Sequence, residues 1–427
     1  MDIYGVVHIP FGTEGKMPTV IMSLEAVLKE VKQRDFVDIW DQEPYERIKE
    51  YGKNILLIHG DRDSIVPVSY SDKLAETIDH VEYHVIQGAD HGCLGEDFNA
   101  GRIEMKTRQL GNLTVSEVGM GCMAFSHGYG KIPPEQYSIE AIQNAYRHGC
   151  TLFDTAEIYS PNLAGIGHNE CIVGKALKDV RKGVAFATKL FLGSSEVRSE
   201  GSVYRAVRRH LEDSMERLQT DMVDLYYLHR TSGGVRIEDV AEAMGLLIED
   251  GLIRGWGLSQ VDVDIIDRAQ NVTPLSAIQN IYSMVERDME KAVISYCMEH
   301  GIGMVPFSPI ASGLLSGKIT TETKFESNDD VRNWVPQLSR ANIAGNQPII
   351  DLLKEYADMK NATSAQISLA WMLHKYPNVV PIPGSKNKER IIENLDASKV
   401  ELTEEEFHSL EEALNKCRVY GHRGFNR

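Results

Sequence analysis

Val184-Ala-Phe-Ala-Thr-Lys189 and Val223-Asp-Leu-Tyr-Tyr-Leu-His229 decide how this chain folds. Both are apolar, β-prone runs that end on one polar residue. Between them, Gly201–Arg217 places Val203, Val207, Leu211 and Met215 at helical spacing. Strand, helix and strand in that order make a βαβ unit. The pattern repeats along most of the chain. Strands are expected at 116–122, 152–156, 184–189, 223–229, 254–259, 277–282, 303–308 and 379–384, with amphipathic segments such as Ile237–Ile248 in the seven gaps. Eight such repeats predict an α/β fold, a (β/α)8 TIM barrel. Ahead of them, Met105–Val115 reads as a hairpin turning on Gly111-Asn112, placed to plug the barrel bottom. The long polar stretch 311–345, with Trp334 in it, reads as a lid or substrate wall.

Catalytic groups of such a barrel sit at the C-terminal ends of its strands. Lys189 and His229 directly follow their runs. Asp154 closes the shorter run in Leu152-Phe-Asp-Thr-Ala-Glu-Ile-Tyr159, and Tyr159 lies just beyond it. These four side chains suit one task. A tyrosine can donate a proton to a carbonyl oxygen. Its free pKa is about 10, so a relay near neutral pH calls for a cationic neighbour. Lys189 can be that neighbour, Asp154 can hold Lys189, and His229 can orient a substrate.

The 427 residues call for one large or two domains, and 42% hydrophobic residues allow a sizeable core. A formal net charge of -17 argues against nucleic acid or an acidic membrane as partner. Cys93, Cys122, Cys150, Cys171, Cys297 and Cys417 form no C-x-x-C pair. They read as reduced thiols of a cytoplasmic protein, and no metal site is expected. No apolar run approaches membrane-spanning length, and MDIYGVVHIP lacks the pattern of a signal peptide.

The chain changes character near Gly101–Thr107, which predicts two domains, 1–102 and 103–427. The first is a small α/β segment. Met17–Met22, Asn54–Ile58 and Val81–Ile86 read as strands, Leu24–Arg34 and Ser71–Ile78 as helices.

Residues 105–416 resemble the aldo-keto reductases. The resemblance rests on Gly119-Met-Gly-Cys-Met123, Asp154-Thr-Ala-Glu-Ile-Tyr159, Thr188-Lys189, Leu228-His229, Gly255-Trp-Gly-Leu-Ser-Gln260, Gln279-Asn280, Pro306-Phe-Ser-Pro309 and Ile382-Pro-Gly-Ser-Lys-Asn387, in that order. It implies reduction of an aldehyde or ketone with NADPH, or alternatively NADH, with Tyr159 as general acid supported by Asp154, Lys189 and His229. It implies that Gly121, Cys122 and Met123 border the cofactor. Ser259, Gln260 and Gln279 would bind the carboxamide, and Phe307 would stack on the nicotinamide. Ser308, Pro309, Ile310, Ser312, Gly313 and Leu314 would follow the pyrophosphate. Gly384, Ser385, Lys386 and Arg390 would meet the adenosine 2'-phosphate, with Glu393 and Asn394 near the adenine. Most relatives carry Asn where Gln260 stands, and many carry a basic residue where Gly384 stands.

Gly119-Met-Gly121-Cys-Met-Ala124 also fits the loose G-x-G-x-x-A pattern of a Rossmann fold. The following Phe-Ser-His-Gly-Tyr-Gly is no helix start, so the Rossmann reading is rejected. The first hundred residues resemble part of an α/β-hydrolase: Leu57–Pro67 contains Asp63, and Gly88-Ala-Asp-His91-Gly contains His91. No G-x-S-x-G occurs, so the nucleophile of a Ser-His-Asp triad is missing. Two alternatives to the reductase are a non-catalytic nicotinamide-binding regulatory protein and a bifunctional hydrolase–reductase. The intact tetrad argues against the first and the missing serine against the second. The partner is a small carbonyl compound shaped by the βα loops, whose Phe125, His127, Tyr129, Leu163, Phe191 and Trp334 predict a partly aromatic pocket. Its identity and the oligomeric state are left open.

Overall fold

A computed structural model describes residues 102–161, 165–325 and 330–423, together with 20–21, 55–60, 69–77 and 81–86. The chain divides into two compact units, Met1–Arg102 and Ile103–Arg427. In the first, Val20–Ile21, Ile55–Gly60 and Val81–Ile86 form a parallel sheet with Ile55–Gly60 in the middle. The helix Ser69–Thr77 connects the second and third strands. The expected helix at Leu24–Arg34 and the loops carrying Asp63 and His91 lie outside the described residues.

The second unit is a (β/α)8 barrel. Its strands are β1 (Met120–Gly121), β2 (Leu152–Asp154), β3 (Ala185–Leu190), β4 (Val223–Leu228), β5 (Ile253–Ser259), β6 (Ala277–Gln279) and β7 (Gly303–Met304), paired in sequence order. All pairings are parallel. Helices follow the strands in turn, among them Val203–Leu218 and Ile237–Glu249, close to the two helices read from periodicity. Ser202 caps the former by accepting from the Arg205 N–H.

The eighth stave, 379–384, forms no regular strand, because two of its residues are prolines. Val380 and Ile382 donate to the carbonyls of Met304 and Pro306 on the β7 side. Pro381 and Pro383 have no N–H for the other side. Their carbonyls accept instead, from Gly119 at 2.9 Å and Gly121 at 3.4 Å. These bonds close the barrel. They also explain the G-x-G: a Cβ on Gly119 would sit 3.1 Å from the Leu152 carbonyl oxygen, and one on Gly121 would sit 2.9 Å from that of Ile382. The glycines serve the barrel seam, not a pyrophosphate turn.

The expected first strand, 116–122, is split. Ser116 pairs within a hairpin, Thr107–Leu110 against Leu113–Ser116, whose two-residue turn has Gly111 at φ 58°. Leu110, Leu113 and Val115 from this hairpin pack with Leu152, Ala187 and Leu225 inside the barrel. The hairpin is thus the plug that the sequence predicts. No helix among the described residues is long and apolar enough to cross a membrane.

Candidate active site

The β2 end places Asp154, and the loop beyond it returns Tyr159. Lys189 projects from β3, whose residues are buried throughout. Its Nζ donates to Asp154 Oδ1 at 2.5 Å, to the Thr155 carbonyl at 2.7 Å and to Tyr159 Oη at 3.3 Å. Three acceptors can engage all three donors of an ammonium, so the arrangement suits the charged form. Burial alone works against charge on Lys189. Asp154 first, then Tyr159, outweigh it and raise the lysine pKa. Asp154 is buried too, which lifts its carboxyl, while Lys189 and Gln279 offset part of that rise. Its second oxygen accepts from Gln279 Nε2 at 2.7 Å.

Tyr159 reaches into the cavity. Burial pushes its hydroxyl above the ordinary tyrosine value, and Lys189 pulls against that push. The lowering expected from Lys189 is therefore present as a contribution, but burial outweighs it. The Tyr159 ring meets His229 edge to face, at 5.9 Å between centroids. Burial, Lys189 and Arg230 hold the His229 pKa well below its usual value, so the imidazole is neutral. Its buried Nδ1 has no hydrogen-bond partner among the described residues.

A cavity of about 550 Å³ opens onto Asp154, Tyr159 and His229, with Lys189 buried behind them. Gly121, Met123, Ser259, Gln279, Phe307, Ser308, Pro309, Ile310, Ser312 and Gly313 line its inner and middle parts. Gly384, Ser385, Lys386, Arg390, Glu393 and Asn394 line the rest of it. Three expected residues do not line it. Cys122 is fully buried, with its thiol against the Met120 carbonyl. Leu314 is fully buried in the core. Gln260 turns its amide oxygen onto the Ile281 N–H at 3.0 Å. Of the aromatic wall expected from the loops, His127 and Tyr129 take part. Phe125 is fully buried, Phe191 lies outside the cavity lining, and Trp334 is 76% exposed to solvent. Leu163 lies outside the described residues.

The backbone of 308–313 is unusual. Ser308, Ala311 and Ser312 have φ between 47° and 54°, and Gly313 has 99°. Three non-glycine residues in the left-handed region store strain, which folded proteins concentrate at ligand sites. Beyond this loop the cavity turns basic. Lys386 Nζ donates to the carbonyls of Tyr129 and Lys131 at 2.6 and 2.8 Å. Arg332 pairs with Asp330, and Lys318 with Glu393. The exposed Arg390 guanidinium makes no ion pair among the described residues. These features fit a dinucleotide: Phe307, Ser259 and Gln279 at the end near Tyr159, a left-handed loop at mid-length, and cations beyond.

Sequence reasoning missed three arginines that line the cavity: Arg230, Arg332 and Arg423. Arg230 directly follows His229, so its place beyond a strand end was a usable signal. Nothing local marks the other two.

The family model described as "Aldo/keto reductase family" matches residues 117–415. The chain belongs to this family. A Glycine max protein named probable aldo-keto reductase 1 is 35% identical over 316 residues, covering 73% of this chain and 89% of its own. Aldo-keto reductase yakc of Schizosaccharomyces pombe, whose name carries NADP(+), is 32% identical over 75% of this chain and 95% of its own. Among solved structures, a glycerol dehydrogenase from Gluconobacter oxydans superposes with a TM-score of 0.64 at 27% identity. It covers 73% of this chain and 95% of its own. As an aldo-keto reductase, the chain is an oxidoreductase.

Proposed function

We propose that this chain reduces an aldehyde or ketone to the alcohol with NADPH, and that Tyr159 is the general acid. The contact that carries the reading is Lys189 Nζ, held 2.5 Å from Asp154 and 3.3 Å from Tyr159 Oη. When bound, a nicotinamide would supply a hydride to the carbonyl carbon. The residues of the chain do the rest. Phe307 and Ser259 would border the nicotinamide end, and residues 308–313 would follow the pyrophosphate. Lys386 and Arg390 would meet the 2'-phosphate, which is why NADPH is preferred over NADH in this reading. The NADP(+) in the yeast relative's name points the same way.

Tyr159 and His229 converge on the carbonyl oxygen. A neutral imidazole can donate one hydrogen bond to that oxygen without protonating it, which leaves the proton transfer to Tyr159. As Oη gives up its proton, Lys189 stabilises the resulting phenolate. Burial makes that charge worth more than it would be in water. Asp154, held on its other side by Gln279, keeps Lys189 in place through the cycle. The phenolate then regains a proton from solvent.

The test is Tyr159→Phe. The ring is kept and only the acid is lost, so carbonyl reduction should fall ~10²–10⁴-fold. Binding of NADPH, followed by fluorescence quenching, should stay near the wild-type value. A variant that reduces carbonyls at close to the wild-type rate refutes the assignment.

A further inference from the structure

Arg230 and Arg423 line the cavity on the Tyr159 side, and both Tyr159 and Arg423 lie close enough to act electrostatically on Arg230. Arg230 Nη1 donates to the His229 carbonyl at 2.5 Å and to Ser259 Oγ at 3.0 Å. Arg423 Nη1 donates to Ser308 Oγ at 3.3 Å, and its guanidinium lies 6.0 Å from the Phe307 ring centroid. Both side chains are half-buried, yet neither guanidinium has a carboxylate partner among the described residues. The tetrad's own carboxylate is committed to Lys189 and Gln279. Two partly desolvated cations close enough to repel are unfavourable unless an anion joins them.

The position of Arg423 is built, not accidental. The C-terminal segment is fastened at three successive points. Tyr420 exchanges two backbone hydrogen bonds with the Asn346 side chain, at 2.9 and 3.0 Å. His422 bridges Glu286 at 2.8 Å and Asp288 at 2.9 Å. The Arg423 N–H donates to Glu286. Gly421 makes the turn between them with φ 78°, and a Cβ there would collide with the Pro336 carbonyl oxygen at 2.6 Å. Each contact orients the last described residue so that its side chain enters the cavity.

We propose that Arg230 and Arg423 form an anion subsite beside Tyr159, and that the preferred substrates are aldehydes or ketones bearing a carboxylate. The inference rests on the reading of this cavity as a carbonyl-reducing site. A guanidinium pair suits a carboxylate because its N–H groups match the spacing of the two oxygens.

The experiment uses the full chain, NADPH, and a short series of straight-chain ω-oxo carboxylates, each paired with its primary amide. The amide keeps the shape and removes the charge. Wild type should favour the acid in kcat/KM by roughly ten- to a hundredfold for at least one chain length. In Arg423→Gln and Arg230→Gln that ratio should fall toward one, through KM. Arg423→Lys, which keeps the charge and loses the fork, should retain part of it. Glutarate should bind the NADPH-free chain by calorimetry and should bind Arg423→Gln at least tenfold more weakly. Melting temperatures show whether each variant is folded. An acid-to-amide ratio near one in wild type overturns the proposal, as does a ratio preserved in both glutamine variants. NADPH affinity that falls as much as the ratio would assign the arginines to the cofactor instead. If no carbonyl compound is turned over while glutarate binds as described, the subsite stands and the reductase reading fails. If glutarate does not bind, the subsite fails whatever the turnover.

Discussion

Replacing Lys189 with Met should damage both stability and catalysis, and the two losses can be separated. The methylenes are kept, but three hydrogen bonds disappear, to Asp154, Thr155 and Tyr159. Asp154 then remains a buried carboxylate with Gln279 as its side-chain partner. Breaking a buried ion pair by removing one partner costs about 3–5 kcal/mol. At about 2 °C per kcal/mol for a unit of this size, the melting temperature should fall by roughly 6–10 °C. Loss of the cation beside Tyr159 should lower kcat by ~10²–10⁴.

The pH dependence identifies the cause. Burial already raises the Asp154 pKa, and Lys189 is the main opposing influence. Without it the folded-state pKa rises further above the unfolded value of about 3.9. A group raised in this way takes up a proton on folding. Its stabilising contribution is complete below the unfolded pKa and is lost as pH rises through the folded pKa. The stability deficit of Lys189→Met should therefore be smaller at pH 5 than at pH 8. Adding Asp154→Asn removes the stranded charge, so the double variant should regain stability at pH 8 while remaining inactive. The assay is thermal unfolding across pH beside NADPH oxidation with a simple aldehyde. A Lys189→Met protein with near wild-type turnover, or a double variant no more stable than the single one, refutes the reasoning.

Arg390→Ala should weaken NADPH binding roughly ten- to a hundredfold and NADH binding much less, because only NADPH carries the 2'-phosphate; equal losses would remove Arg390 from the phosphate site. Gly121→Val should lower the melting temperature through a loss of about 1–3 kcal/mol. A Cβ at Gly121 meets the Ile382 backbone oxygen at 2.9 Å, and backbone at the barrel seam cannot swing aside; an unchanged melting temperature would mean the seam relaxes. Deleting residues 1–102 should leave reductase kcat/KM largely intact, since every residue of the proposed site lies in Ile103–Arg427. A soluble, folded truncation without turnover would tie the first unit to the active site.

The barrel was legible in the sequence because strand and helix impose different apolar periods, and the two alternate here with little interruption. The tetrad was legible because barrel geometry sends every strand's C-terminal end to the same face. Polar residues at the ends of β2, β3 and β4 therefore meet, although Asp154 and His229 are 75 positions apart in number. The hairpin was legible from Gly111-Asn112, which only a tight turn uses economically. Other features were decided by tertiary structure. No local pattern shows that Pro381 and Pro383 close the barrel through their carbonyls, because that depends on which neighbour each edge of the stave faces. Gln279 as the partner of Asp154 depends on two strands separated by half the barrel circumference. Trp334 reads as a wall residue from its loop, yet points to solvent, because loop length fixes reach and not direction. Arg423 lies beyond the last repeat, where no periodicity constrains it. It enters the cavity because Asn346 and Glu286 hold the C-terminal segment there, and such long-range fastening becomes visible only once the chain has folded.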